Sequence, residues 1–525
     1  MRVFGFASGG FDGDLVTVEV DIRRGLPGTE IVGLAGGAVQ EARERVRVAV
    51  RNSGFVYPAD RVLVSLAPAG IRKIGASFDL PIAAGILRAT GQIVDSPLDS
   101  VMFLGELQLD GRVRAVSGVL AAVAAGVAGG LRGFVVPRLN VAEARAVDGA
   151  KVAGIDRLDD LVGIWHEPGR MATDHRDRAA AEDAADSEAG RRDKQGEYAD
   201  LRGQPLVKRC MEIAAAGAHH VLLFGPPGSG KTMALRRLPG ILPELSREEA
   251  LEVTRIHSIA GILPADRGLM RERPFRTPHH SASLEGIVGG GRTVRPGEIS
   301  LAHRGVLFLD EVGEFRGNIL QSLREPLEDG FVTIARAERT FWFPSCFQLV
   351  MAANPCPCGN LGRENAVCLC APAEIYRYWR RIGGALLDRV DMRLPVSPAP
   401  PQVVLSPDSE TSAVMGGRVR MASVAQEQRY TGERFNRNGR IPPGKIDRYC
   451  RLTDGARSMF ERLVGKMGLS TRAIVSILRL SRTIADLENA ETIGRDHVLE
   501  ACQYRRYGDG DYFWTGENRL GRGSG

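Results

Sequence analysis

VLLFGPPGSGKTMALRR, residues 221–237, runs from an apolar segment through a glycine-rich turn into a basic one. Four apolar residues read as a short buried strand, and the turn after them matches G-x-x-x-x-G-K-[ST] at 225–232. A helix-forming run follows. In such a loop Gly225, Gly228 and Gly230, with Pro226, Pro227 and Ser229 between them, let backbone N–H groups wrap phosphates. Lys231 reaches the β- and γ-phosphates of ATP, and the Thr232 hydroxyl ligates Mg²⁺. Chance matches lack the strand before and the helix after. The stretch therefore predicts a P-loop α/β fold, an αβα sandwich with a mostly parallel sheet.

Working outward, the run GVLFLD (305–310) reads as a second buried strand, about 80 residues downstream, and ends on Asp310-Glu311. An acid at a strand end organises the Mg²⁺ that bridges ATP phosphates, and its neighbour polarises the attacking water. Asp310 is assigned to the metal and Glu311 to the water. A third strand, FQLVMAAN (347–354), delivers Asn354 to its tip, where it would help place that water; loop capping is the alternative. Phosphoryl transfer also needs positive charge, often an arginine from a neighbouring subunit. Arg389, in ALLDRVD (385–391), is the candidate, with a structural ion pair as the alternative, and Arg324 in SLREPLEDG is its rival. Arg472 begins a helix from which it would reach the nucleotide as part of a lid.

Directly after Asn354, four of the eight cysteines fall within fifteen residues: Cys356, Cys358, Cys368 and Cys370. Two C-x-C pairs supply four thiolates, the complement of a structural Zn²⁺ site, although C-x₂-C is the usual spacing. Unligated thiols and a redox switch are the alternatives.

The rest of the chain divides by texture. Residues 1–165 alternate strand-like runs (14–22, 61–68) with helix-like ones (38–54), a compact α+β domain. Residues 166–198 are dense in charge and alanine and nearly free of large apolar side chains, so they read as a disordered linker or else a solvated helix. The ATPase core takes 199–400. A helical region follows over 401–510, with helices expected at 411–430, 444–467, 471–488 and 493–504, then a flexible tail at 511–525. No leader segment and no apolar run of membrane-spanning length is visible, so a cytoplasmic protein with no membrane contact and reduced thiols is expected. A net charge of +6 on 525 residues permits nucleic-acid contact without demanding it.

Taken together, GPPGSGKT, RTPHHS (276–281), GIVGGGRTVRPGEISLAHRGVLFLDE (286–311), AANPCPCG (352–359) and LLDRVDMRL (386–394) resemble the Mg-chelatase-like AAA+ proteins of the ComM/YifB competence family. The resemblance implies an ATP- and Mg²⁺-dependent hexameric ring that acts as a DNA helicase in branch migration, with single-stranded, branched or recombinase-coated DNA as partner. It also implies Walker A roles for Lys231 and Thr232, Walker B for Asp310 and Glu311, sensor 1 for Asn354, an arginine finger at Arg389 and a second sensor at Arg472. Two hairpin-like insertions fit this branch: 286–300, with Arg292, Arg295 and a tip at Pro296-Gly297, and 331–343, with Arg336 and Arg339. In a ring they would face the pore and grip phosphates; ordinary solvated hairpins are the alternative. A rival class is a protein-remodelling or chelatase-like ATPase that moves a partner protein.

The first 165 residues resemble the Lon-protease-like domain, through KIGAS (73–77) and FLGELQLDGR (103–112). Ser77 stands where Lon carries its nucleophile, whereas Leu120 stands where Lon carries the base lysine. A serine without a proton acceptor is a poor nucleophile, so no peptidase activity is expected; Lys73 is the one nearby substitute. His279-His280 reads as a loop or a DNA contact, and Tyr376–Arg381 as an aromatic, basic helix that faces DNA or packs.

Overall fold

The computed structural model describes residues 2–34, 36–73, 75–93, 100–164, 196–264, 268–291, 293–336, 339–363, 366–404 and 409–505. Nearly all of the expected linker, the tail from 506 onward, and Arg292 lie outside the described residues.

The N-terminal domain is built on a seven-stranded mixed sheet. Its order is Gly28–Val32, Arg61–Ala67, Asp12–Arg23, Arg2–Gly9, Val101–Phe103, Gly133–Pro137 and Lys151–Ile155. Along Asp12–Arg23, Val16, Val18 and Val20 are buried, and the residues between them are partly exposed, the period of a strand with one covered face. The helix Gly37–Asn52 turns Val39, Ala42, Val46, Ala49 and Val50 inward, a stripe at helical spacing.

The central domain carries a five-stranded parallel sheet in the order Phe275–Arg276, Val306–Leu309, Gln348–Ala353, Val221–Phe224 and Met392–Pro395. Every residue of Gln348–Ala353 is buried, because helices cover both faces of a parallel sheet. One face packs on the C-terminal helices, and the other on the segments around Ile319, Ile375 and Trp379. Tyr198 is fully buried against this core: its hydroxyl donates to Ala234 O at 2.8 Å, and its N–H donates to Ser412 Oγ at 2.9 Å.

The C-terminal helices run over Ser412–Arg429, Ile446–Tyr449, Asp454–Met467, Thr471–Leu487 and Arg495–Tyr504. The helix expected over 444–467 is interrupted. Leu452 bridges to Ile493, and Thr453 caps a new helix by accepting from the Ala456 N–H, so tertiary pairing breaks the continuous pattern. Ile477, Leu480 and Ile484 form the buried stripe of Thr471–Leu487, and truncating any one to alanine would cost about 2–5 kcal/mol.

Candidate nucleotide site and cysteine cluster

Parallel register brings the three chemical strand tips together. Phe224 pairs with Ala353 and Leu309 with Met351, so Gly225, Asp310 and Asn354 emerge at the carboxyl end of adjacent strands. Gly225 donates its N–H to Ala353 O at 3.2 Å, and a Cβ there would stand 2.1 Å from Val396 O, so only glycine fits. Gly228 and Gly230 take φ of 79° and 90°, which turns the loop back into the helix Lys231–Arg236.

Lys231 is buried and curls over its own loop, donating to Gly225 O at 2.7 Å and Pro226 O at 2.8 Å. Burial lowers its pKa, and the carboxylates of Asp310 and Glu311 oppose that shift. Thr232 Oγ1 donates to Asp310 Oδ1 at 3.1 Å, which places the two expected Mg²⁺ ligands side by side. Glu311 holds a left-handed φ of 50°, a strained backbone for a non-glycine residue, at the turn after the strand. These groups can hold a nucleotide triphosphate with its metal and present an acid to water.

The cysteine loop leans directly on the phosphate loop. A Cβ on Gly359 would come within 2.9 Å of Pro227 Cγ. Cys356 Sγ lies 3.4 Å from Cys358 Sγ and 3.6 Å from Cys368 Sγ, and all four sulfurs lie within 4.8 Å of one another. That is the donor set and compactness of a tetrahedral thiolate site. The Asn360 backbone N–H and the neighbouring thiols lower the Cys358 thiol to about 6. Among the described residues no other cluster of metal-binding side chains occurs, and His279 and His280 instead stack 4.1 Å apart.

The helix Pro372–Ile382 splits the aromatic, basic run. Tyr378 and Trp379 are buried; Tyr376 is exposed. Trp379 Nε1 donates to Pro355 O at 3.1 Å, and the Tyr378 hydroxyl, raised to about 12 by burial, is hydrogen-bonded to the Asn354 backbone. Both fix the strand Gln348–Ala353 and the loop after it, which the sequence signalled only as an aromatic cluster.

Arg389 and Arg472 lie elsewhere. Met392, the first residue of its strand, pairs with Val221, so Arg389 sits at the amino end of the sheet, opposite the phosphate loop. Its Nη2 lies 2.6 Å from Glu328 Oε1, and Arg472 engages the same carboxylate as well as Asp388 at 3.4 Å. Arg472 thus does not reach the nucleotide loop of its own chain, because the helix it begins is docked at the far end of the strands. Nothing local in either segment marks Glu328 as the shared partner. Arg324 is exposed at the start of Arg324–Asp329.

The hairpins take two forms. Phe331–Ala335 and Thr340–Pro344 pair as expected. In the first insertion Gly289-Gly290 pairs with Arg295-Pro296, so Pro296-Gly297 is not the tip. Pro296 is buried, and Gly297 starts the helix Glu298–Leu301 where a Cβ would stand 2.4 Å from Gly289 N. Arg336 Nη2 donates to Gly291 O at 2.7 Å, and Arg339 pairs with Asp14 of the N-terminal domain at 2.6 Å.

In that domain Lys73 is fully buried, with its ammonium donating to Gly33 O and Leu66 O, each at 2.9 Å, and to Pro68 O. Lys73 is therefore a cross-brace and not a base for Ser77. Leu120 is buried, and its backbone N–H donates to Glu143.

A parallel sheet whose strand ends carry Asp310, Glu311, Asn354 and the glycine loop leading to Lys231 and Thr232, backed by a helical C-terminal region, defines a Mg-chelatase-like ATPase of the AAA+ class. Family models for the magnesium chelatase subunit ChlI match residues 197–404, 18–140 and, for its C-terminal part, 409–505. The YifB protein of Escherichia coli is 40% identical over 494 residues, 93% of this chain and 94% of its own. The competence protein ComM of Haemophilus influenzae is 40% identical over 511 residues, 96% and 97% of the two chains. The magnesium-chelatase 38 kDa subunit of Cereibacter sphaeroides is 28% identical over 176 residues, 30% of this chain and 52% of its own. The chain belongs to the ComM/YifB family of Mg-chelatase-like proteins. Among the described residues no helix is long and apolar enough to cross a membrane.

Proposed function

We propose that the protein is an ATP-driven DNA motor, a hexameric helicase that promotes branch migration in the bacterial cytoplasm. The observation that carries this reading is the convergence of Arg295, Arg336 and Arg339, from two separate hairpins, on one cavity of about 750 Å³. Guanidinium groups gathered this way suit a phosphodiester backbone and read no sequence. Lys231 and Thr232 hold ATP·Mg²⁺ with Asp310, Glu311 activates water, and Asn354 orients it. Positive charge on the transition state comes from Arg389 of an adjoining subunit, because within the chain Arg389 lies at the wrong end of the sheet. Arg472 would accompany it. Zn²⁺ on Cys356, Cys358, Cys368 and Cys370 holds the loop that buttresses Pro227, and it does no chemistry itself. The N-terminal domain is not a peptidase.

ATP hydrolysis at two salt concentrations, with and without single-stranded or branched DNA, tests the reading, with Lys231→Ala as control. Stimulation by DNA that weakens with salt and vanishes in the variant is the expected result. Turnover indifferent to DNA from an assembled ring would overturn it and favour a protein-remodelling, chelatase-like ATPase.

A further inference from the structure

The cavity that gathers the hairpin arginines has a second wall, formed by the N-terminal domain. The segment around Arg72 and Ser77 lines it, in the place where a Lon-like domain would keep its active serine. That wall has kept a cleft and lost its chemistry: Lys73 is sequestered by three carbonyls, and Leu120 offers no base.

The charge of the lining is one-sided. Among the described lining residues, Arg72, Arg295, Arg336 and Arg339 stand with one carboxylate, Glu106, which itself lies 3.8 Å from Arg114. Asp14, outside the lining, holds Arg339. Phe341 adds a half-buried aromatic face with the Arg339 guanidinium 5.9 Å above its ring. A basic cleft with an aromatic platform suits single-stranded nucleic acid, whose phosphates take the arginines and whose bases stack. The volume, about 750 Å³, falls among ligand-sized pockets of roughly 300–1,000 Å³.

We infer that the vestigial protease cleft of the N-terminal domain is a binding site for single-stranded nucleic acid, shared with the ATPase hairpins, and that Arg72 is its phosphate contact on the N-terminal side. The inference rests on the motor reading and extends it to a domain with no assigned part. As a phosphate contact, Arg339 exchanges Asp14 for the strand.

The test is fluorescence anisotropy of the full-length chain with a labelled oligo-dT strand and a non-hydrolysable ATP analogue, over a series of salt concentrations. Losing one contact to a single strand removes about 0.7 from the salt slope, which corresponds to about a fourfold weaker affinity near 0.15 M salt. Arg72→Gln should show both changes, while its melting profile and size on gel filtration match the wild type. Independently, a strand carrying 5-iodouracil should photocrosslink to wild-type peptides containing Phe341 or Ser77. An Arg72→Gln slope equal to wild type, or crosslinks confined to other peptides, overturns the inference and leaves the motor reading intact. No salt-sensitive binding by the wild type overturns both. Displacement of the strand by polyglutamate at matched charge concentration assigns the cleft to acidic peptide instead and also overturns the inference.

Discussion

Replacing Cys368 by serine probes what holds the loop after Asn354 in shape. Its sulfur lies 3.6 Å from both Cys356 Sγ and Cys358 Sγ. Four sulfurs bound at about 2.3 Å to a tetrahedral zinc stand about 3.8 Å from one another, so shifts of up to about an ångström would seat the ion. The energetic need is plain from length. Ordering the segment between residues 355 and 370 costs on the order of 15 kcal/mol, at about 1 kcal/mol per residue, and only Cys356 of the four thiols is fully withdrawn from water. A structural zinc contributes about 10–16 kcal/mol, the right scale to offset that cost. Protein purified without chelators should carry one zinc per chain by elemental analysis, and Cys368→Ser should carry little. ATP turnover should fall with it, because Gly359 would no longer press on Pro227. Cys346→Ser, outside the cluster, is the control. A zinc-free wild type with full turnover, or a Cys368→Ser protein that keeps its metal, would refute the reasoning.

Four further expectations can be checked directly. Glu311→Gln should still bind ATP while single-turnover hydrolysis falls about 10²–10⁴-fold, the scale of losing a general base; unchanged hydrolysis would remove Glu311 from the chemistry. Asp391 is buried, which disfavours its charge, yet His219, His220 and Ser476 hold its carboxyl well below the usual range. With the folded-state pKa depressed, its contribution is present above the unfolded value of about 3.9 and is lost as pH falls below it. Asp391→Ala should therefore cost about 1–3 kcal/mol at neutral pH for each buried donor it strands, the Ser476 hydroxyl and the His220 backbone N–H, and flatten the acid limb of a melting-temperature profile. Finally, a fluorophosphonate serine probe should leave Ser77 unlabelled, and Lys73→Met should destabilise the N-terminal domain by about 1–3 kcal/mol for each stranded carbonyl, read by thermal unfolding.

The nucleotide loop and the two strand tips beyond it were legible because that chemistry dictates residue type and position together: glycine where φ is positive, acids where a strand ends. Parallel register, itself implied by uniformly apolar strands, then brought Gly225, Asp310 and Asn354 to one end of the sheet. Ion-pair partners distant in sequence were not legible. Glu328 stands 144 residues from Arg472, and nothing local in either segment announces the contact. Pro296-Gly297 misled because proline followed by glycine signals a turn, whereas here the glycine is required by the close approach of Gly289. Lys73 read as a spare base by its spacing from Ser77, since a cage of carbonyls formed by Gly33, Leu66 and Pro68 leaves no trace in composition.

In the proposed assembly the separation of Lys231 from Arg389 and Arg472 makes each copy a directional building block with unlike ends. Such blocks join head to tail, and the contact closes into a ring or runs on as a filament. In the proposed ring every working junction draws its loop from one copy and its arginines from the next, so damage is counted by junction and not by chain. A copy lacking Lys231 still lends its arginines onward, and a copy lacking Arg389 still keeps a sound loop. Two variants that are each inert alone would therefore recover part of their turnover when mixed, at the junctions where the sound halves meet.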